Sequence, residues 1–169
     1  AFSVLMSVYA KENPQYLSEC LQSLALQTLQ ANEVVLVEDG PISSALASVI
    51  DSFRESLNIV SVRLLQNVGL GGALNAGLKS CTHELVARMD TDDIAMPARF
   101  EKQIAQFNIN PNVGVLGTFA QDFDDKAGLG SIRIMPITHQ AIFDNLFSCP
   151  FIHPSVMYKK GLILSIICN

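Results

Sequence analysis

Two runs near the start of the chain, Ser3-Val4-Leu5-Met6-Ser7-Val8-Tyr9 and Glu33-Val34-Val35-Leu36-Val37-Glu38, are apolar at almost every consecutive position. A strand with one wet face alternates apolar and polar residues. A strand apolar throughout needs cover on both faces, as in a parallel sheet sandwiched between helices. The intervening segments carry the matching helical period. Asn13 caps a helix with Pro14 at its first position, and Leu17, Cys20, Leu21, Leu24 and Thr28 recur as one core-facing stripe. Ser43 or Ser44 caps a second helix to about Ser56, with Leu46, Val49, Ile50 and Phe53 inward.

Ile59 to Gln66 reads as a third strand and Leu85 to Met89 as a fourth. Pro97 opens a helix with Phe100, Ile104 and Phe107 inward, stopped by Asn110-Pro111. Val113 to Ala120 reads as a fifth strand, Asp122 to Gly130 as an exposed acidic loop, and Ser131 to Met135 as a short extended piece. Thr138 caps a helix to about Phe147, and Ser155 to Tyr158 forms the last strand. The expected fold class is α/β: a Rossmann-like, mostly parallel sheet flanked by helices in three α/β/α layers, a single domain over residues 1–169.

The apolar run Leu85-Val86-Ala87 stops at Arg88-Met89-Asp90-Thr91-Asp92-Asp93, which places three carboxylates within four residues. Clustered acids repel and are costly to desolvate unless a cation sits among them. If the chain is still extended there, Asp90 and Asp92 point to one side and Asp93 to the other. Oxygen donors so placed suit Mg²⁺ or Mn²⁺, hard ions that share their coordination with a substrate phosphate. The alternative is a solvated turn ahead of the next helix; its place at the end of a buried-type strand favours the metal reading. Open α/β sheets bind ligands outside the carboxyl ends of their strands. Tyr9-Ala10, Glu38-Asp39-Gly40 and Asp90 to Asp93 all fall at such ends, which predicts one shared site.

The glycine-rich stretch Asn67 to Lys79 resembles two phosphate motifs and matches neither: Leu74 stands where G-x-G-x-x-G needs glycine, and Leu78 where a Walker A needs lysine. Gly72, Ala73, Ala76 and Gly77 are instead expected to let a helix pack close to the sheet, with a phosphate or ribose contact at its N-terminus still open. A net charge of −5 with no Lys/Arg patch excludes a nucleic-acid surface, so a phosphorylated ligand must be met by a metal and local donors. Cys20, Cys81, Cys149 and Cys168 are scattered, with no metal-ligand spacing, and read as reduced, mostly buried thiols of a cytoplasmic protein. The apolar first ten residues lack a basic flank and read as strand, not signal peptide; Gly161 to Cys168 is too short to span a bilayer.

In order along the chain, Ser7-Val8-Tyr9, Glu19 to Leu24, Gln27-Thr28, Val37-Glu38-Asp39-Gly40, Asn67-x-Gly69, Ala87 to Asp93 and Pro150 to Ser155 form a set that resembles family 2 glycosyltransferases of the GT-A fold. Within that family the chain is most similar to bacterial transferases of O-antigen, capsule or exopolysaccharide assembly. The resemblance implies an inverting transfer from a nucleotide-sugar, usually a UDP-sugar, to a glycan or lipid-linked acceptor, with Mg²⁺ or Mn²⁺ bound. It implies a cytoplasmic location at the inner face of the membrane, with peripheral membrane association of the full-length protein.

Carried over residue by residue, Asp39 would accept from the uracil N–H, or serve only as a turn-former before Gly40. Ser7, Val8 and Tyr9 would wall the uridine with backbone and ring, with Asn67 beside it; Tyr9 could equally be core edge. Asp90 would face the ribose, and Asp92 would ligate the metal with Asp93 behind it. Arg88 could orient the acids, reach phosphate, or form an ion pair with Asp90 or Asp93. His153 could touch the diphosphate, complete the metal shell, or be a satisfied core residue. The family's general base lies in a Glu-Asp segment beyond the His-Pro-Ser stretch. Here sixteen residues follow His153 and none is acidic, so the base is unassigned and the chain is expected to be a donor-binding portion truncated before the acceptor half. Asp122, Asp124, Asp125 and Asp144 are the other acids nearby. The alternative function is a truncated, non-catalytic nucleotide-sugar-binding module. A sugar nucleotidyltransferase is disfavoured, because Tyr9 to Asn13 stands where its phosphate loop belongs.

Overall fold

The computed structural model describes residues 1–124, 126 and 128–167; Asp125 and Cys168 lie outside them. The chain runs β1 (Ser3–Val8), α1 (Pro14–Ala25), β2 (Glu33–Glu38), α2 (Ser44–Ser52), β3 (Ile59–Arg63), α3 (Leu70–Ser80), β4 (Leu85–Arg88), α4 (Arg99–Ile109), β5 (Val115–Leu116), β6 (Ala120–Asp124), β7 (Gly128–Arg133), α5 (His139–Asp144), β8 (Met157–Lys159) and α6 (Lys160–Ile167). The main sheet has the order β3-β2-β1-β4-β8-β5. β1 pairs in parallel with β2 and β4, β2 pairs in parallel with β3, and β8 alone runs against its neighbours.

Side-chain alternation along β1 divides the core into two layers. Val4, Met6 and Val8 pack with Leu17, Leu21, Leu46, Ile50 and Phe100 on the face covered by α1, α2 and α4. Leu5 packs with Val35, Val37, Ala73, Leu78 and Val86 on the opposite face, beneath α3 and the partly buried Ile163 and Leu164 of α6. The three-layer sandwich read from the apolar runs is therefore the structure. The small residues of α3 do what their size predicted: a Cβ on Gly77 would lie 2.5 Å from Val37 Cγ2 and 2.6 Å from Leu5 Cδ1.

The caps also stand. Asn13 accepts from the Gln15 amide, Ser43 from Leu46 and Thr138 from Ala141. Several boundaries differ. α1 ends at Ala25, so Thr28 is exposed and leaves the stripe, while Gln27 is buried in its place. α4 begins at Arg99, because the carbonyl of Pro97 accepts from the Thr28 amide.

The expected fifth strand is divided: Val115–Leu116 joins the main sheet, and Ala120 starts a separate two-stranded ribbon. Of the segment expected to be an acidic loop, Asp122 to Asp124 belong to β6 and Gly128 to Gly130 to β7, which continues to Arg133 in the piece expected to be extended. Its acids misled because a ribbon exposed on both sides needs no apolar face. Asp122 pairs across the ribbon with Arg133 at 2.8 Å. The helix after Thr138 stops at Asp144 and a 3₁₀ turn, Leu146–Ser148, follows.

Candidate functional site

β1, β2, β3 and β4 run in parallel, and the segments at their carboxyl ends, with the start of α3, enclose a cleft of about 300 Å³. Ser7, Tyr9, Asp39, Asn67, Asp90 and Asp92 line it, so the structure brings six of the expected site residues together. Glu12, Thr91, Gly69 and Leu70 line it as well. Glu12 and Thr91 were not singled out in the sequence; their positions just past β1 and β4 were the available signal.

Val8 is not among the cleft-lining residues: its side chain is fully buried in the core, and its carbonyl accepts from the Asp39 amide at 2.8 Å. The strand register explains this, since Ser7 and Val8 must face opposite sides of β1.

At one end of the cleft Asp39 is 4% exposed, yet its carboxylate is held from two sides. Oδ1 accepts from the Val68 amide at 2.7 Å and Oδ2 from the Gly69 amide at 3.1 Å. Gly69 caps α3 without a side chain, so Asp39 supplies the missing anion from a different element. Two amides that the glycine-rich turn left open to a phosphate are thereby occupied. Gly40 makes this approach feasible: it has φ +83°, and a Cβ there would lie 2.7 Å from the Asn67 backbone nitrogen. Asn67 closes the corner by donating from Nδ2 to the Asp39 carbonyl at 3.3 Å. Each Asp39 oxygen keeps a second lone pair for a ligand.

At the other end the chain is not extended past β4. It turns at Thr91-Asp92, with the Asp93 amide directed at the Asp90 carbonyl at 3.5 Å. Asp93 thus swings to the same side as the other two, contrary to the extended reading, and oxygens of Asp90, Asp92 and Asp93 lie within 4.8 Å of one another. Arg88 lies buried beneath them and forks Asp90, with Nη1 donating to Oδ2 at 2.6 Å and Nη2 to Oδ1. This ion pair also sets the orientation of Asp90, so two of the roles left open for Arg88 coincide in one contact.

Electrostatics mark the turn as short of positive charge. Burial, reinforced by Asp90 and Asp92, pushes the Asp93 carboxyl up to about 6. Burial raises Asp90 against the pull of Arg88, and burial with the nearby Asp92 and Asp90 charges raises Glu12. Three hard oxygen donors with surplus negative charge fit a small divalent cation.

His153 does not join them. Among the described residues the metal-competent group is Asp90, Asp92 and Asp93; His153 is exposed on the 3₁₀ turn His153–Ser155, with Nε2 3.4 Å from Cys149 Sγ. Its charge still reaches Asp90 and lowers that carboxyl. Cys149 is exposed, unlike the buried Cys20 and Cys81, and its backbone is left-handed (φ 54°). Asp122 and Asp124 lie on the ribbon and Asp144 on α5, apart from the cleft lining.

The geometry agrees with comparisons to known proteins. The chain is 46% identical over 165 residues to the amylovoran biosynthesis glycosyltransferase AmsE of Erwinia amylovora, covering 97% of this chain and 62% of the relative. It is 41% identical over 166 residues to the UDP-Gal:alpha-D-GlcNAc-diphosphoundecaprenol beta-1,3-galactosyltransferase of Escherichia coli, covering 98% of this chain and 60% of that protein. The chain thus spans about three fifths of the length of these relatives. Among solved structures, S. aureus TarS 1-349 in complex with UDP-GlcNAc superposes with a TM-score of 0.73 at 24% identity, over 98% of this chain and 47% of that one. The sequence model of Glycosyl transferase family 2 matches residues 3–162, and the chain belongs to that family.

Proposed function

We propose that the cleft is the donor site of an inverting glycosyltransferase that moves a sugar from a UDP-sugar to a glycan or lipid-linked saccharide in bacterial surface polysaccharide assembly. The observation that carries this reading is the pairing of ends: Asp39 and Asn67 at one end of the cleft, Asp90 and Asp92 at the other. A nucleoside diphosphate carries a hydrogen-bonding base at one end and a charged pyrophosphate at the other, and a carboxylate at one end of the cleft with an acid cluster at the other would serve both. Relatives named for amylovoran biosynthesis and for a diphosphoundecaprenol-linked acceptor support the pathway and the acceptor class.

In this reading the free lone pairs of Asp39 accept from the uracil N–H, and Tyr9 at the rim flanks the ring. Asp90, fixed by Arg88, faces the ribose. Asp92 and Asp93 would hold Mg²⁺ or Mn²⁺, which would supply positive charge against the departing diphosphate. The acceptor hydroxyl loses its proton to a base outside the residues assigned here, and attack at the anomeric carbon expels UDP. In this reading the lipid-linked acceptor is met at the inner face of the membrane. Among the described residues no helix is long and apolar enough to cross a membrane.

Titration calorimetry with UDP tests the donor site. UDP affinity should weaken at least about tenfold when Mn²⁺ is replaced by EDTA, and the Mn²⁺-dependent gain should vanish in Asp92→Ala. Equal affinity in EDTA contradicts the reading.

A further inference from the structure

The turn that carries the three acids is fastened from beneath by α1 and α4. The Cys20 thiol donates to the Asp90 carbonyl at 3.2 Å, Ser23 Oγ accepts from the Ala95 amide at 3.0 Å, and Gln27 Nε2 donates to the Met96 carbonyl at 2.9 Å. These contacts are uncharged. Arg99 adds a charged one, although it is only 9% exposed. Its Nη2 donates to the Arg88 carbonyl at 2.8 Å, Nη1 to Met89 Sδ at 3.1 Å and Nε to Gln103 Oε1 at 3.2 Å.

Among the described residues no carboxylate lies within ion-pair distance of Arg99. Apolar replacements of buried charges are often neutral or stabilising, so packing alone is a poor reason to keep a guanidinium there. Its position offers a better one. The carbonyl it holds belongs to Arg88, and the Arg88 side chain forks Asp90. One line of contacts therefore runs from α4 through the end of β4 to the acid turn.

We propose that Arg99 is a positioning residue: its planar guanidinium fixes the backbone at Arg88-Met89 so that Asp90, Asp92 and Asp93 converge before a cation arrives. The inference rests on the donor-site reading above. A guanidinium fork serves three acceptors in one plane, whereas a lysine amine satisfies fewer and in another geometry. Charge and placement act in opposite directions here. Removing a nearby positive charge favours cation binding, while losing the placement of the turn disfavours it. Placement dominates in this account, so even the charge-conserving Arg99→Lys is impaired.

The test is Mn²⁺ titration in the presence of UDP, following the loss of the free-ion EPR signal, for the wild-type chain, Arg99→Lys and Arg99→Met. Circular dichroism checks folding, and UDP affinity is measured separately in EDTA. The expected result is Mn²⁺ binding weakened about tenfold in both variants. The EPR line shape of bound Mn²⁺ changes, and metal-free UDP affinity stays at the wild-type value. If Arg99→Met does not fold, Arg99→Lys decides. Mn²⁺ affinity within twofold of wild type in folded Arg99→Lys overturns the proposal and leaves Arg99 a structural role only. A wild-type chain that takes up no Mn²⁺ with UDP present overturns the donor-site reading, and this inference with it.

Discussion

Asp39 has two partners to serve. Its carboxylate caps α3 through the Val68 and Gly69 amides while its remaining lone pairs face the cleft. Asp39→Ala therefore leaves two amides without their acceptor and should cost about 1–3 kcal/mol of stability, read by urea unfolding, along with UDP affinity. A variant that loses UDP affinity with unchanged stability would refute the capping role. The acids give a second residue-level prediction. Because Asp93 is pushed up to about 6 from 3.8, the folded chain holds that proton more tightly than the unfolded chain does. Its contribution to stability therefore falls as pH rises from about 4 to about 6, the reverse of a salt-bridged aspartate. In EDTA, wild-type stability relative to Asp93→Asn should decline across that window in urea unfolding, and Mn²⁺ should flatten the decline. A relative rise would contradict the electrostatic account.

At the scale of elements, α3 lies as close to the sheet as its glycine allows. In Gly77→Ala the added methyl meets Val37 and Leu5 at under 3 Å. Helix propensity favours alanine by about 1 kcal/mol. Overpacking against two strand-borne side chains costs about 1–3 kcal/mol. The clash should win by about 1 kcal/mol and lower Tm by about 3 °C in calorimetry; a raised Tm would show that the sheet yields. Such packing was legible beforehand because small residues at helical spacing have few other uses. The caps at Asn13, Ser43 and Thr138 were legible for the same reason: a local hydrogen bond decides them. The β6–β7 ribbon was not, since cross-strand pairs such as Asp122 with Arg133 leave no periodic trace. Nor was the convergence of Asp93 with Asp90 and Asp92, which depends on a turn and not on strand alternation. Arg99 escaped notice because its role lies in contacts across the fold.

For the whole molecule, the sheet order places β1, β2 and β4 side by side, and this adjacency assembles one cleft from residues as distant as Ser7 and Asp92. The apolar runs dictated the layers, and the ordered motifs pointed to the family whose sequence model matches residues 3–162. What the motifs could not specify was the division of labour inside the cleft: Asp39 partly spent on α3, Arg88 committed to Asp90, and His153 standing apart with Cys149. The central claim is that the two ends of this cleft grip one nucleoside diphosphate. Crystals soaked with UDP and Mn²⁺, measured at the manganese absorption edge, test it most directly. The account predicts an anomalous peak among Asp90, Asp92 and Asp93, with the uracil N–H on Asp39. A metal peak elsewhere, or a uracil bound away from Asp39, would contradict it.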